Sequence, residues 1–163
     1  MPLIKPALDP LSVVPQSRTS YPEPYRSRVM PREKRQLGVE LGLKKIGINR
    51  TTLPPGKESS MRHWHTHEEE FVYVLEGEVV LRTDAGEQVL KAGSCAGFAA
   101  GAKDGHQLIN RSNGPAVYLE VSNRDGEDSV YYSDADVDMM ATPQGMKRRD
   151  GSPIGPRINR EEP

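Results

Sequence analysis

The chain has almost nothing with which to cross-link itself. Cys95 is the sole cysteine, so no internal disulfide can form. That suits a reducing compartment, and the small neighbours in Gly93-Ser94-Cys95-Ala96-Gly97 predict a buried, inert thiol rather than a nucleophile. No apolar run approaches the roughly 20 residues that span a bilayer. MPLIKPALDP places prolines where a secretory leader needs an unbroken apolar stretch. These absences predict a cytoplasmic protein with no membrane partner. Charge of one sign is also lacking: 22 basic residues face 23 acidic ones, for a net charge of -1. Nothing therefore draws the chain toward nucleic acid, and short clusters such as Lys147-Arg148-Arg149 read as solvated faces. Hydrophobic residues form only 35% of 163 residues, which predicts one compact domain with extensions rather than two domains.

Proline, by contrast, is concentrated. Seven prolines fall within the first 31 residues. Each fixes φ and removes a donor, so neither helix nor central strand is expected there. The same stretch carries Leu3, Ile4, Leu8, Leu11, Val13 and Val14, too apolar for a solvated tail. An extended arm lying on a surface, its own or a partner's, accounts for both features. Pro31 to Leu37 predicts one helical turn opened by proline, and Val39 to Leu53 a strand stopped by Pro54-Pro55-Gly56. Short strands then recur at Phe71–Leu75, Val79–Thr83, Gln88–Leu90, His106–Asn110 and Ala116–Val121, separated by glycine-bearing turns. Such spacing without a long helix predicts an all-β barrel or sandwich. Ser129–Tyr132 predicts a further short strand, and the chain from Gly145 onward an irregular tail. Asp134, Asp136 and Asp138 alternate, but a calcium loop needs glycine where Met139 stands, so these read as surface acids.

The chemistry concentrates in Arg62–Gly77, RHWHTHEEEFVYVLEG. Side chains at i and i+2 of a strand share a face, so His63 and His65, or His65 and His67, can present two imidazoles side by side. Neutral imidazole with a nearby carboxylate suits a divalent first-row metal; a solvated strand edge is the bland alternative. A second stretch, Gly93 to Asn110, decides between them. Gly56, His63, His65, Glu70 and Gly77 follow the spacing of the first cupin motif, with six residues rather than five after Gly56. Gly93, Ala99, Gly101, His106 and Asn110 follow the second, with Ala99 in place of proline and two extra residues between Gly101 and His106. Across Ile46 to Ser122 the chain thus resembles the cupin superfamily, and as a whole its short single-domain (monocupin) subgroup.

That resemblance implies a cupin jelly-roll β-barrel (residues 36–122) with a proline-rich N-terminal arm (1–35) and a C-terminal extension (123–163). It also implies one divalent transition metal (Mn, Fe, Ni, Co or Zn) held by His63, His65, Glu70 and His106. Three nitrogens and one oxygen leave positions open on an octahedral ion. The family spacing, fixed between Glu70 and Gly77, favours His63 with His65 and puts His67 on the connecting turn. A two-residue connector after His67 would also demand positive φ of glutamates. The implied function is a metalloenzyme acting on a small oxygen-bearing substrate, such as a sugar derivative, keto acid or phenol, by isomerase, dioxygenase or decarboxylase chemistry. The rival is a non-catalytic small-molecule binding or sensing module, against which stands the absence of any periodic helical output element. No catalytic residue beyond the metal ligands stands out. Trp64 and Phe71 read as packing, Asn110 as a turn-fixing residue, and Arg82, Lys91, Lys103 and Arg111 as ordinary surface cations that could steer an anion. A homodimer is implied, with the arm crossing onto the neighbouring barrel.

Overall fold

The computed structural model describes residues 3–155. Met1, Pro2 and residues 156–163 of the expected arm and tail lie outside them. The described chain is an all-β jelly roll whose strands pair antiparallel throughout. In chain order the strands are β1 (Glu33–Gln36), β2 (Ile46–Leu53), β3 (His63–His65), β4 (Glu70–Glu76), β5 (Glu78–Thr83), β6 (Gly86–Lys91) and β7 (Cys95–Phe98). They continue as β8 (Gln107–Ile109), β9 (Ala116–Asn123), β10 (Val130–Tyr132), β11 (Met140–Thr142), β12 (Gly145–Lys147) and β13 (Pro153–Gly155). Three sheets form, in the orders β1-β2-β9-β4-β7, β6-β5-β8 and β13-β12-β11-β10-β3. No helix among the described residues is long and apolar enough to cross a membrane.

Alternation in β4 sets the barrel interior. Val72 and Val74 are buried while Phe71, Tyr73 and Leu75 are exposed, as a strand with one face toward a core requires. Val72 and Val74 pack with Leu53, Val79, Leu81, Leu108, Ala116 and Tyr118. The turn into β5 needs Gly77: its φ is +71°, and a β-carbon there would lie 2.9 Å from the Pro115 carbonyl oxygen. Cys95 is exposed, not buried as the sequence predicts. It sits on edge strand β7 opposite Tyr73, so the alternation that turns Ala96 and Phe98 inward turns Cys95 out.

Four segments differ from expectation. Pro31 to Leu37 is not a helical turn; Glu33–Gln36 is drawn into strand pairing against Thr52–Asn49, and Lys34 also exchanges two backbone hydrogen bonds with Gln16 of the arm (2.8 and 2.9 Å). The helical turn falls one step later, in α2 (Leu37–Glu40), and Gly42 at φ +74° ends it, delaying the next strand to Ile46. The arm does hold a helix, α1 (Tyr25–Val29), in the proline-free window between Pro24 and Pro31. The region after Gly145 is not wholly irregular, because β12 and β13 extend the sheet begun by β10 and β11.

The arm lies on its own chain through this stretch. Val29 is fully buried in a second core with Met61, Val130, Tyr132, Val137, Met139, Ala141 and Met146. Tyr21 meets Tyr132 edge-on with ring centroids 5.9 Å apart, and Tyr25 Oη donates to the Asp136 carbonyl at 2.9 Å. Leu3, Ile4, Leu11 and Val14, further toward the N-terminus, remain exposed.

Candidate metal centre

Each sheet contributes to one cluster. His63 and His65 stand on β3, Glu70 opens β4, and His106 immediately precedes β8. His63 and His106 are locked together by reciprocal backbone hydrogen bonds of 3.1 and 2.8 Å. The three imidazole Nε2 atoms converge on one oxygen, Glu70 Oε2, at 3.6 Å from His63, 3.4 Å from His65 and 2.7 Å from His106. Phe98 stacks on the His106 ring at 3.6 Å between centroids.

The far nitrogens fix the tautomers. His63 Nδ1 lies 2.9 Å from the Met61 carbonyl oxygen, which only accepts, so Nδ1 carries the proton and Nε2 presents a lone pair. His65 Nδ1 donates to Asp128 Oδ2 at 2.7 Å. Asp128 Oδ1 in turn accepts the His67 and Glu68 amides at 3.1 and 3.2 Å. Burial opposes ionisation of Asp128, yet His65 and these amides together hold its carboxyl well below the ordinary range. With both oxygens committed, Asp128 orients His65 although it also lies in a buried cluster with Glu68. Burial pulls the His63 imidazole down to about 4 against the pull of Glu70, which keeps it neutral. Burial works against Glu70 too, but the three imidazoles outweigh it and hold the carboxyl ionised.

The donor set fits a divalent metal. The Nε2 atoms of His63, His65 and His106 gather around one carboxylate oxygen, and convergent neutral imidazoles beside a carboxylate are the donors a divalent first-row ion takes. His63, Glu70 and His106 present ligand atoms all within 4.8 Å of one another, and His65 Nε2 lies on the same oxygen. His67 is exposed on the turn, with Nδ1 at 2.8 Å from Thr66 Oγ1, and stands outside the cluster.

A cavity of about 220 Å³ opens on this cluster and is lined by His63, Glu70 and His106. Its other walls include the arm, β1, β2, β9 and Arg124, with Phe98 of β7 and Tyr132 of β10. The residues between Gly101 and His106, where two extra positions occur, help line a second hollow of about 110 Å³ beside His65 and Glu70. Trp64 stacks on Tyr131 at 4.8 Å, a packing role. Asn110 donates to the Leu53 and Gly114 carbonyls at 2.8 Å each, fixing a turn. Sequence reasoning missed Asp128, some sixty positions from its histidine in a run that reads as surface acid. Of the cations it named, Arg111 is paired with Glu87 and Arg82 with Asp134; Arg18, Arg32, Lys34 and Arg124, which line the cavity, it did not single out.

The comparisons with known proteins agree with this architecture. The cupin domain family pattern matches residues 49–122. Over 94% of its length the chain is 39% identical to all of a sugar phosphate isomerase from a cupin superfamily, from Silicibacter pomeroyi, with a TM-score of 0.84. The chain belongs to the cupin superfamily. A candidate sugar phosphate isomerase from Acidithiobacillus ferrooxidans is 32% identical, with 68% of this cupin and 69% of that chain covered at a TM-score of 0.63. The polyketide cyclase RemF from Streptomyces resistomycificus shares the fold at 17% identity, covering 76% and 81% of the two chains with a TM-score of 0.62. No curated protein matches.

Proposed function

We propose that this cupin is a metal-dependent isomerase of a small phosphorylated sugar, with His63, His65, Glu70 and His106 as the metal ligands. The convergence of three Nε2 atoms on Glu70 Oε2 at the wall of a cavity carries the reading. The likeness to a sugar phosphate isomerase across 94% of the chain supports isomerase over dioxygenase or decarboxylase chemistry. When bound, a divalent ion supplies Lewis acidity toward a substrate oxygen.

The chain's own residues supply the rest. His63 and His106, tied to each other through their backbones, keep the cluster rigid. Phe98 and Tyr132 give the cavity apolar wall that excludes water around the reacting carbons. Aldose–ketose isomerisation takes a proton from the carbon next to the carbonyl and returns it to the neighbouring carbon, so no oxidant is required. Glu120, facing the cavity and ionised beside Lys34 and Asn49, is the carboxylate outside the cluster that would move that proton.

Metal analysis of natively purified protein, followed by a screen of sugar phosphates with and without that metal, tests the reading. Interconversion of one pair, lost on chelation and restored by metal, is the expected result. A ligand that binds tightly and emerges unchanged under every condition would instead favour the non-catalytic binding or sensing module.

The same reading includes a homodimer. Phe71, Tyr73 and Leu75 stand exposed in a row on β4, and Leu3, Ile4, Leu11 and Val14 of the arm are exposed as well. An outer sheet face and an apolar arm left uncovered together are what a second copy would bury.

A further inference from the structure

The cavity is built for an anion. Arg18, Arg32, Lys34 and Arg124 line it, against the two carboxylates Glu70 and Glu120. Glu70 is engaged by three imidazoles, and Glu120 accepts from Lys34 and Asn49. Positive charge therefore exceeds negative along the walls away from the histidines.

Two of these cations occupy built positions. Arg32 lies just ahead of β1, and its Nε is buried with no hydrogen-bond partner among the described residues. A buried guanidinium nitrogen left without an acceptor is unfavourable unless a ligand supplies one. The Tyr118 hydroxyl lines the same cavity, and burial raises its pKa so that it remains a donor. Arg124 is seated differently. Its Nη1 donates to Ser122 Oγ at 3.1 Å, and its guanidinium covers Gly47 so closely that a β-carbon there would overlap it. Gly47, Ser122 and Glu70 form one rung across β2, β9 and β4. Adjacent strands lie roughly 4.8 Å apart, so Arg124 stands about 10 Å from the Glu70 strand, a separation that a phosphorylated sugar spans.

We propose that Arg32 and Arg124, flanked by Arg18 of the proline-rich arm, form a phosphate subsite at the end of the cavity away from the histidines. It holds the phosphate monoester of the substrate while the sugar's oxygens reach Glu70 and His106. The assignment rests on reading this cavity as the substrate site. A phosphate dianion accepts donors from several directions at once, whereas a carboxylate is satisfied by a single guanidinium fork. Cations contributed by the arm, by the start of β1 and by the segment after β9 match the former. The arm is then a wall of the binding site, not an appendage.

Calorimetric titration of full-length protein, stripped of metal by chelation, with inorganic phosphate at low salt tests this without relying on turnover. Saturable binding is expected, weakened about tenfold or more by Arg32→Gln and by Arg124→Gln and unchanged by Arg111→Gln, whose partner is Glu87 outside the cavity. Gly47→Ala keeps every charge but displaces the Arg124 guanidinium, and should weaken phosphate as well; thermal melts show which variants fold. Absence of saturable binding to the wild type, or equal affinity in the wild type and in the folded cavity variants, overturns the subsite. Acetate competing better than phosphate would reassign it to a carboxylate and overturns the phosphate assignment. Arginine-dependent phosphate binding in a protein that isomerises no sugar phosphate would leave the subsite standing and remove the isomerase. Isomerisation indifferent to Arg32 and Arg124 would do the reverse.

Discussion

The molecule has two cores of equal membership and unlike legibility. The barrel core gathers Leu53, Val72, Val74, Val79, Leu81, Leu108, Ala116 and Tyr118, with clean alternation in β4 and a glycine turn into β5. The other gathers Val29 from the arm, Met61 from the loop before β3, and Val130, Tyr132, Val137, Met139, Ala141 and Met146 from the C-terminal region. Apart from Leu108 on three-residue β8, the first is assembled from strands of six to eight residues, the second from three-residue strands, a five-residue helix and the loops that carry Met61, Val137 and Met139. Yet β3, which bears two of the cluster's histidines, pairs in its sheet with β10 of the second region. The motif-bearing barrel alone does not hold the site.

The sharpest test of that contrast compares two histidines in one stretch. His63→Ala should lose most of the metal found in the wild type, while His67→Ala keeps it, as read by elemental analysis of the two variants side by side. Metal retained by the first and lost from the second would exchange their roles. A smaller loss is expected when the second region lets go of the site. Asp128→Asn keeps the shape but leaves His65 without its charged acceptor, and metal affinity should fall about 10- to 100-fold with the fold intact. Affinity equal to the wild type in a competition assay would make Asp128 a structural carboxylate only.

The two cores can be set against each other directly. Val74→Ala and Met139→Ala, both at fully buried positions, should cost about 2 and about 2–5 kcal/mol respectively in denaturant unfolding. A single transition in both variants means the cores unfold together. A separate early transition in Met139→Ala would mean that the second region is only docked on the barrel.

A gentler effect is expected at the seam between β1 and the barrel. Lys34 holds the Glu120 carboxyl below its ordinary 4.5 despite burial that pushes the other way. The folded value is the lower one, so this stabilisation is fully present above about 4.5 and fades as pH falls through the folded value. Lys34→Met should therefore show a smaller drop in urea midpoint between neutral pH and pH 4 than the wild type does. An equal drop would mean that the pair contributes nothing to acid stability. Removal of residues 1–12 should shift the association state in light scattering while hardly changing the melting temperature of the dilute protein, because the buried part of the arm begins at Val13. An unchanged association state would leave the exposed arm without a partner.

What the sequence revealed follows the same division. Period-two alternation in β4 and paired glycine-bounded motifs are local, so the barrel strands and the residues of the histidine–glutamate cluster could be read in order along the chain. Of the C-terminal strands only β10 was legible, within Ser129–Tyr132; β11, β12 and β13 gave no such signal, because three residues show less than two periods of alternation. Pro31 to Leu37 carries the charge and opening proline of a helical turn, while the pairing of Glu33–Gln36 with β2 leaves no local mark. Asp128 matters through His65 on β3 and Arg124 through its place over Gly47 on β2, both far away in sequence, and no spacing rule announces them.

One consequence of the meeting of three sheets at Glu70 concerns time rather than structure. Local opening of a protein proceeds piece by piece, and the easiest piece opens most often. Since each sheet supplies at least one member of the cluster, separation of any one of them dismantles the constellation while the other two persist. The rate at which an occupant exchanges with solvent is then set by the least stable sheet, not by global unfolding. Conversely, an occupant that binds only the closed form damps all three openings together. Amide hydrogen exchange would register this as slowing spread over β3, β4 and β8, strands of three different sheets.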